Sequence, residues 1–268
     1  MGSSSTFHQL FQAQSSLYSL FRPDYPSSLY QTVLRFADLQ ERQLALDVAT
    51  GTGQVATELA KWFERVLAID PSAEQLKEAV QMPNIEYREA AAEATTAADH
   101  SVDLLTVGQA LHWFDLPAFY REARRVLQPG GTLAAWGYGN NLFPGYPKAQ
   151  ALTEHLYEGI LGPYWSDRRK LVEQHYAGCE PGPEHFAVVE RAEVPMAKTM
   201  SVAAYVGYLS SWSAYNTYRQ KHPDRPDPLV QYKVDLLGAC GMTEDQQQLE
   251  VVWPIFILMA KQPAALDS

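Results

Sequence analysis

Five short apolar runs, each separated from the next by a helix-like pattern, occupy residues 44–136 and restrict the chain to a small set of folds. The runs fall at 44–46, 65–69, 85–88, 101–107 and 132–136. Parallel strands cannot be joined by a tight turn, so strands and helices that alternate at this spacing build a parallel sheet with helical crossovers. Leu44, Ala45 and Leu46, and then Val102, Leu104, Leu105 and Val107, are too continuously apolar for strands with one wet face. They suit strands covered on both sides. The fold expected is α/β and doubly wound, with helices on both faces of the sheet.

The flanks are less regular. Residues 7–20 are loosely helical and end at Arg22-Pro23-Asp24-Tyr25-Pro26, where two prolines force an extended turn. Ser27 or Ser28 is placed to cap a helix over 29–36. Pro71 and the Ser72-x-x-Gln75 capping box open another through residue 80. Pro117 opens a helix that stops at Gln128-Pro129-Gly130-Gly131. Beyond the fifth run the pattern predicts helices over 149–161, 166–176, 201–218 and 228–239, and Thr243-x-x-Gln246 reads as one more capping box. Two further strands are expected at 186–194 and 249–259, with Pro254 marking an edge or a bulge. The helices around the sixth strand then read as insertions forming a helical cap. One domain results: an N-terminal helical lid (1–40), a ligand-binding core (41–138), cap insertions (139–185 and 198–246) and the last sheet strands (186–197 and 247–262).

Composition narrows the partners. A net charge of −10 over 268 residues disfavours nucleic acid and anionic membranes, both of which attract basic surfaces. The cluster Arg121, Arg124 and Arg125 reads as a solvated helix face. Cys179 and Cys240 belong to no C-x-x-C pattern, as expected of a reducing compartment. The histidines show no metal-ligand spacing, so no metal is expected. The polar first residues lack a basic n-region, and the apolar run 251–260 is broken by Pro254 and too short to span a bilayer. These features point to a cytoplasmic protein. Its oligomeric state stays open.

The first strand runs into Asp47-Val48-Ala49-Thr50-Gly51-Thr52-Gly53-Gln54, a glycine turn followed by a helical pattern. Gly51 and Gly53 allow positive φ and close backbone approach to a ligand, and the next helix offers unpaired N–H groups. Two ligand classes compete. Gly51-x-Gly53-x-x-Ala56 followed by Asp70 fits a dinucleotide fingerprint and an NAD(P)-dependent oxidoreductase. Asp47, however, lies outside that fingerprint. A carboxylate beside the ligand repels a pyrophosphate and suits a cationic amino-acid group. Ala92-Glu93 and Pro129-Gly130-Gly131 have no role in the dinucleotide pattern either.

Asp47-x-Ala49-x-Gly51-x-Gly53, Asp70, Ala92-Glu93 and the Pro-Gly-Gly turn together resemble the ordered motifs of class I S-adenosylmethionine-dependent methyltransferases. The resemblance spans residues 44–136. Arg22-Pro23-x-Tyr25-Pro26, Gly108-Gln109-Ala110-Leu111-His112-Trp113-Phe114 and Trp212-Ser213-Ala214-Tyr215 resemble, more loosely, the small-molecule branch that includes trans-aconitate methyltransferases. The resemblance implies a mostly parallel seven-stranded sheet with an antiparallel last strand, and S-adenosylmethionine as cofactor. It implies cofactor contacts from Asp47 near the α-amino group, from Ala49, Thr50, Gly51 and Gly53 in the turn, from Asp70 to both ribose hydroxyls, from Ala92 and Glu93 flanking the adenine, and from Gln109 near the methyl-bearing sulfonium. For Asp70 the alternative is an N-cap; for Glu93 it is solvent exposure.

His112 follows the fourth strand and is the candidate general base, against an alternative in which it packs beside Trp113 and bonds a backbone carbonyl. Tyr205, Tyr208, Trp212 and Tyr215 form one stripe of the 201–218 helix and are either core or, with Trp165, the lining of a substrate pocket. Tyr18, Arg22 and Tyr25 would close that pocket, with Trp113 beside them and Arg22 pairing a substrate carboxylate. The function expected is methyl transfer to a small molecule, a carboxylic acid or hydroxyl compound. The alternatives are a non-catalytic protein that keeps the fold and the oxidoreductase above.

Overall fold

The computed structural model describes residues 24–262, so the candidate lid residues Tyr18 and Arg22 lie outside the described residues. Within that range the chain divides into two compact units. One holds Asp24–Gly139, Lys170–Val194 and residues 255–262; the other holds Asn140–Arg169 and Pro195–Pro254.

The first unit carries helix α1 (Ser27–Ala37), then β1 (Leu44–Val48), α2 (Gln54–Leu59), β2 (Arg65–Asp70), α3 (Ala73–Lys77), β3 (Ile85–Glu89) and β4 (Val102–Gly108). A 3-10 turn (Leu111–Trp113), α4 (Leu116–Val126) and β5 (Leu127–Tyr138) follow. The seven-stranded sheet has the order β3-β2-β1-β4-β5-β7-β6, where β6 is Val188–Ser201 and β7 is Gln248–Lys261. β1 pairs in parallel with β2 and with β4, β2 with β3, and β4 with β5, while β7 runs antiparallel to β5. This is the doubly wound sheet expected. The chain moves outward from β1 through β2 to β3, then crosses back to start β4 on the other side of β1. Right-handed crossovers in opposite directions place the connecting helices on opposite faces.

Local chemistry accounts for these elements. β2 and β4 are buried over nearly every residue, as strands covered on both faces must be. Ser72 caps α3 by accepting from the Gln75 N–H, and Asp115 caps α4 by accepting from the Ala118 N–H. α4 buries Phe119, Tyr120, Ala123 and Val126, one stripe of the helix, and turns its arginines outward. Arg125 there pairs with Glu122 and Asp99.

Several expectations change. α1 has Pro26 at its N-cap and no side-chain cap, so neither serine serves. β5 starts upstream of the Pro-Gly-Gly turn, and its pairing with β4 shifts register between Val102 and Leu104. β7 lies inside the sheet with β6 at the edge, so Pro254 does not mark an edge strand. Pro254 falls between Val252, which exchanges backbone hydrogen bonds with Leu142, and Ile255, where pairing with Tyr138 begins. The missing N–H is tolerated in that gap.

The second unit is built on α5 (Pro147–Glu154), which continues into a π-type turn (His155–Ile160), then a 3-10 turn (Gly162–Tyr164), α7 (Val202–Ser210), α8 (Ser213–Lys221) and α9 (Pro228–Cys240). Between the 3-10 turn and β6 the chain forms α6 (Arg169–Glu173), short of the 166–176 expected. The 201–218 helix is two helices. Trp212 takes extended backbone (φ −69°, ψ 133°) and becomes the N-cap of α8, so the aromatic stripe is not one helix face. Residues 243–247 form no helix; Gln247 Oε1 instead accepts from the Thr243 and Glu244 N–H groups. The boundary expected at 185 falls after Arg169, because residues 170–185 pack with the sheet unit through Val172, Tyr176 and Cys179. Among the described residues no helix is long and apolar enough to cross a membrane, and no group of His, Cys, Asp or Glu is arranged to hold a metal ion.

Candidate functional site

In an open α/β sheet a ligand lies outside the carboxyl ends of the strands, where strand order reverses. Here that point is between β1 and β4. Each of these strands ends in a non-glycine residue with left-handed backbone: Ala49 (φ 56°) after β1 and Gln109 (φ 55°) after β4. Such conformations cost free energy and persist where surrounding contacts enforce them.

The contacts that enforce the first are two carboxylates. Asp47 is buried, and its oxygens accept from the Thr50 hydroxyl (2.5 Å) and the Thr106 hydroxyl (2.7 Å). Thr106 stands directly opposite Asp47 in the β1–β4 register, which is why it reaches. Burial pushes the Asp47 carboxyl up to about 7, with the two hydroxyls pulling it down and the charge of Asp70 adding to the rise. Asp70 ends β2 and is also buried. One of its oxygens accepts from the Gly51 N–H and the other from the Ser72 N–H, both at 2.9 Å. Thr50 N–H donates to Ile69 O at 2.9 Å and completes the frame. The glycine turn is thus pinned to β1, β2 and β4 at once.

Its glycines are required for different reasons. Gly51 (φ 58°) and Gly53 (φ 84°) are both left-handed, and a Cβ on Gly53 would also collide with the Tyr87 hydroxyl from β3. Tyr87 is held there by donating to Val80 O at 2.8 Å.

The second strained residue, Gln109, uses its side chain as a clamp. Its Nε2 donates to Tyr138 O at 3.0 Å and its Oε1 accepts from Tyr138 N–H at 2.8 Å. The amide imitates a strand neighbour and ties the end of β4 to the end of β5. Gly137 leaves room for it, since a Cβ there would sit 2.9 Å from Gln109 Oε1. Tyr25 packs edge-on against Trp136 and Tyr138 at the same strand ends, with ring centroids 5.6 and 6.4 Å away.

Ala49, Thr50, Gly51 and Gly53 thus lie in the turn after β1, Asp70 at the end of β2 and Gln109 after β4, with Tyr25 against Tyr138, the residue that Gln109 clamps. Asp47 and Glu93 take positions that sequence reasoning did not foresee, and for Asp70 one of its two readings falls. Asp47 is sealed against two threonines rather than turned toward a ligand, and a carboxyl that titrates near neutrality is a weaker counter-charge than its sequence position implies. Asp70 is not the N-cap of α3, because Ser72 is. Glu93 is engaged rather than solvated: its Oε1 accepts from the Asp115 N–H at 2.9 Å, at the start of α4, while Ala92 is buried beside it.

His112 is buried in the 3-10 turn, with Nδ1 3.2 Å from the Tyr176 hydroxyl and its ring beside Trp113. The Tyr176 phenol is one partner of the ring. A general base must reach the proton that it removes, and a ring buried in this way is better placed to hold its loop. Thr106, Tyr87 and Tyr176 are the residues that sequence reasoning missed. Only strand register and tertiary packing bring them to the turn and to His112, so no local signal marks them.

Trp165, Trp212 and Tyr215 belong to the helical unit. The two indoles lie 5.5 Å apart, and both contact Tyr157. Tyr215 is turned to another partner, donating to Asp227 at 2.9 Å.

Comparison with known proteins bears on this arrangement. Residues 46–135 match the family profile described as "Methyltransferase domain". A Dictyostelium discoideum protein named a methyltransferase is 36% identical over 96% of this chain and 96% of its own length. A Saccharomyces cerevisiae protein named an S-adenosylmethionine-dependent methyltransferase is 23% identical over 93% of this chain and 96% of its own. Among solved structures, a type II methyltransferase from Anaeromyxobacter dehalogenans superposes with a TM-score of 0.80 at 36% identity, covering 91% of this chain and 99% of that one.

Proposed function

Because the chain belongs to the class I S-adenosylmethionine-dependent methyltransferases, we propose that it moves the cofactor's methyl group to a small acceptor, a carboxylic acid or a hydroxyl compound. The observation that carries the assignment of the cofactor site is Asp70 at the end of β2, buried and oriented by Gly51 and Ser72 beside two left-handed glycines. A carboxylate accepts up to about four hydrogen bonds, and the Gly51 and Ser72 N–H groups fix how this one is turned. Its geometry fits a vicinal diol, and the ribose of the cofactor is one.

The cofactor supplies a methyl group already activated on a sulfonium. The chain's part is to align and enclose. Gly51 and Gly53 let the backbone approach, Ala49 and Thr50 shape the turn, and Ala92 and Glu93 flank the adenine. Asp47 acts by fixing the turn through Thr50 and Thr106, and reaches the α-amino group only by way of water or backbone. Gln109 sets the β4 exit against β5. His112 positions its loop together with Trp113, and Tyr25 closes over the strand ends. A carboxylate acceptor needs no base, which agrees with a buried His112. Cys179 and Cys240 are both unbridged, in keeping with a cytoplasmic setting.

The experiment is titration calorimetry with S-adenosylmethionine and S-adenosylhomocysteine, followed by methyl release over small acids, phenols and amines. Micromolar binding of both is expected, and Asp70→Asn should weaken it by about tenfold or more, the scale of a charge-assisted hydrogen bond. Binding without release over the panel would favour the non-catalytic alternative. Absence of binding would remove the assignment of the site.

A further inference from the structure

We propose that Arg169, held against Tyr157 and Trp165 in the helical unit, is a recognition site for a flat, conjugated carboxylate. The guanidinium carbon lies 5.0 Å from the centroid of the Trp165 ring and 5.6 Å from that of Tyr157. Its Nε donates to the Tyr157 hydroxyl at 2.8 Å. The two rings are themselves tied, since Trp165 Nε1 donates to Tyr157 O at 3.2 Å, and Trp212 packs edge-on against Tyr157 at 5.6 Å. The side chain is therefore oriented before any ligand arrives.

Arg169 is partly buried, and among the described residues no carboxylate pairs with it. Partly buried arginines ordinarily sit against an acid, as Arg125 does against Glu122. Stacking occupies the face of the guanidinium, and Nε–H is spent on the phenol. The terminal N–H groups at its in-plane edge remain, in the fork that matches the two oxygens of a carboxylate. Trp165 is partly exposed and 5.0 Å from the guanidinium carbon, and a planar ligand held at the fork extends this aromatic packing better than a branched aliphatic one. A phosphate would also satisfy the fork, but it would leave the ring unused. In naming a carboxylate as the acceptor class the proposal rests on the methyltransferase reading; as an anion site it does not.

The test uses benzoate and its uncharged isostere benzamide, followed by tryptophan emission of the full chain at millimolar ligand. Benzoate should give a saturable change that benzamide does not reproduce. Arg169→Gln should bind benzoate at least about tenfold more weakly, the size of a lost charged pair. Arg169→Lys keeps the charge without the fork and should fall between the two. Equal responses to benzoate and benzamide, undiminished binding by Arg169→Gln, or no benzoate response at all would each overturn the proposal. Should Arg169→Gln fail to fold, the benzoate–benzamide contrast in the unaltered protein still decides. Calorimetry with S-adenosylmethionine on that same protein keeps the two readings apart. Benzoate binding without cofactor binding would retain the anion site and lose the methyltransferase assignment. Cofactor binding without benzoate binding would do the reverse.

Discussion

Asp47 shows how burial changes the meaning of a residue. Its carboxyl is raised to about 7, first by desolvation, so the folded protein holds a proton that the unfolded chain releases at the ordinary carboxylate value near 4. Between those values the folded state binds more protons, and stability contributed at this position falls as pH rises. Asp47→Asn keeps the shape and removes the titration. The difference in melting temperature, unaltered protein minus variant, should therefore decrease between about pH 4 and pH 7 and level off above it. Thermal melts across that range check it; a difference independent of pH would mean that the carboxyl titrates normally. Asp70 differs in that both of its oxygens take backbone N–H groups, which makes it an orienting residue as well as a ligand candidate.

At the scale of elements, the ends of β1, β4 and β5 are joined by side chains acting as backbone substitutes. The Gln109 amide closes two hydrogen bonds with Tyr138 just where the β4–β5 ladder ends, after Gly108 meets Trp136. Cutting the clamp should leave the strands paired and loosen their exits. In Gln109→Ala the Tyr138 amide, which donates to Gln109 Oε1, should exchange with solvent about tenfold faster or more, while the amides of the β4–β5 ladder keep their protection. Residue-resolved hydrogen exchange reads this directly, and an unchanged Tyr138 amide would show that the clamp bears no stress. Elements also mark where the helical unit departed from its pattern. The apolar period of 201–218 is continuous, yet the helix breaks before Trp212, whose indole packs with Tyr157 and Tyr208 at the cost of a helical backbone.

For the whole molecule, ligand linkage gives the broadest test of the cofactor reading. A ligand that binds only the folded state at a hundred times its Kd stabilises by about 2.7 kcal/mol. For a chain of this size that amounts to a rise in melting temperature of about 5–10 °C. S-adenosylhomocysteine should produce that rise, growing with the logarithm of its concentration, and NADH should produce none. A rise with NADH instead would return the glycine turn to the dinucleotide class.

The sheet and the place of its site were legible from residues 44–136 because they rest on local rules. Apolar continuity, Ser72 and Pro117 at helix starts, and glycines at the β1 turn each act within a few residues. The roles of particular side chains were less accessible. Asp47 looked like a ligand group until Thr106, its neighbour across the β1–β4 register, was seen to hold it. His112 could be read from its place after β4 as a base or as a packed ring, and only the fold shows it buried against Tyr176. Sequence by itself determined the doubly wound sheet and the glycine turn, since these follow from periodicity and from backbone freedom at single positions, while the kind of ligand came only from the resemblance of the ordered motifs to a family. Tertiary structure alone decided that Asp47 is sealed by two threonines while Asp70 takes backbone N–H groups of the turn, where the aromatic helix breaks, and that among the described residues Arg169 stands among rings with no carboxylate paired to it. Those outcomes depend on desolvation and on partners tens of residues away, and no local pattern carries that information.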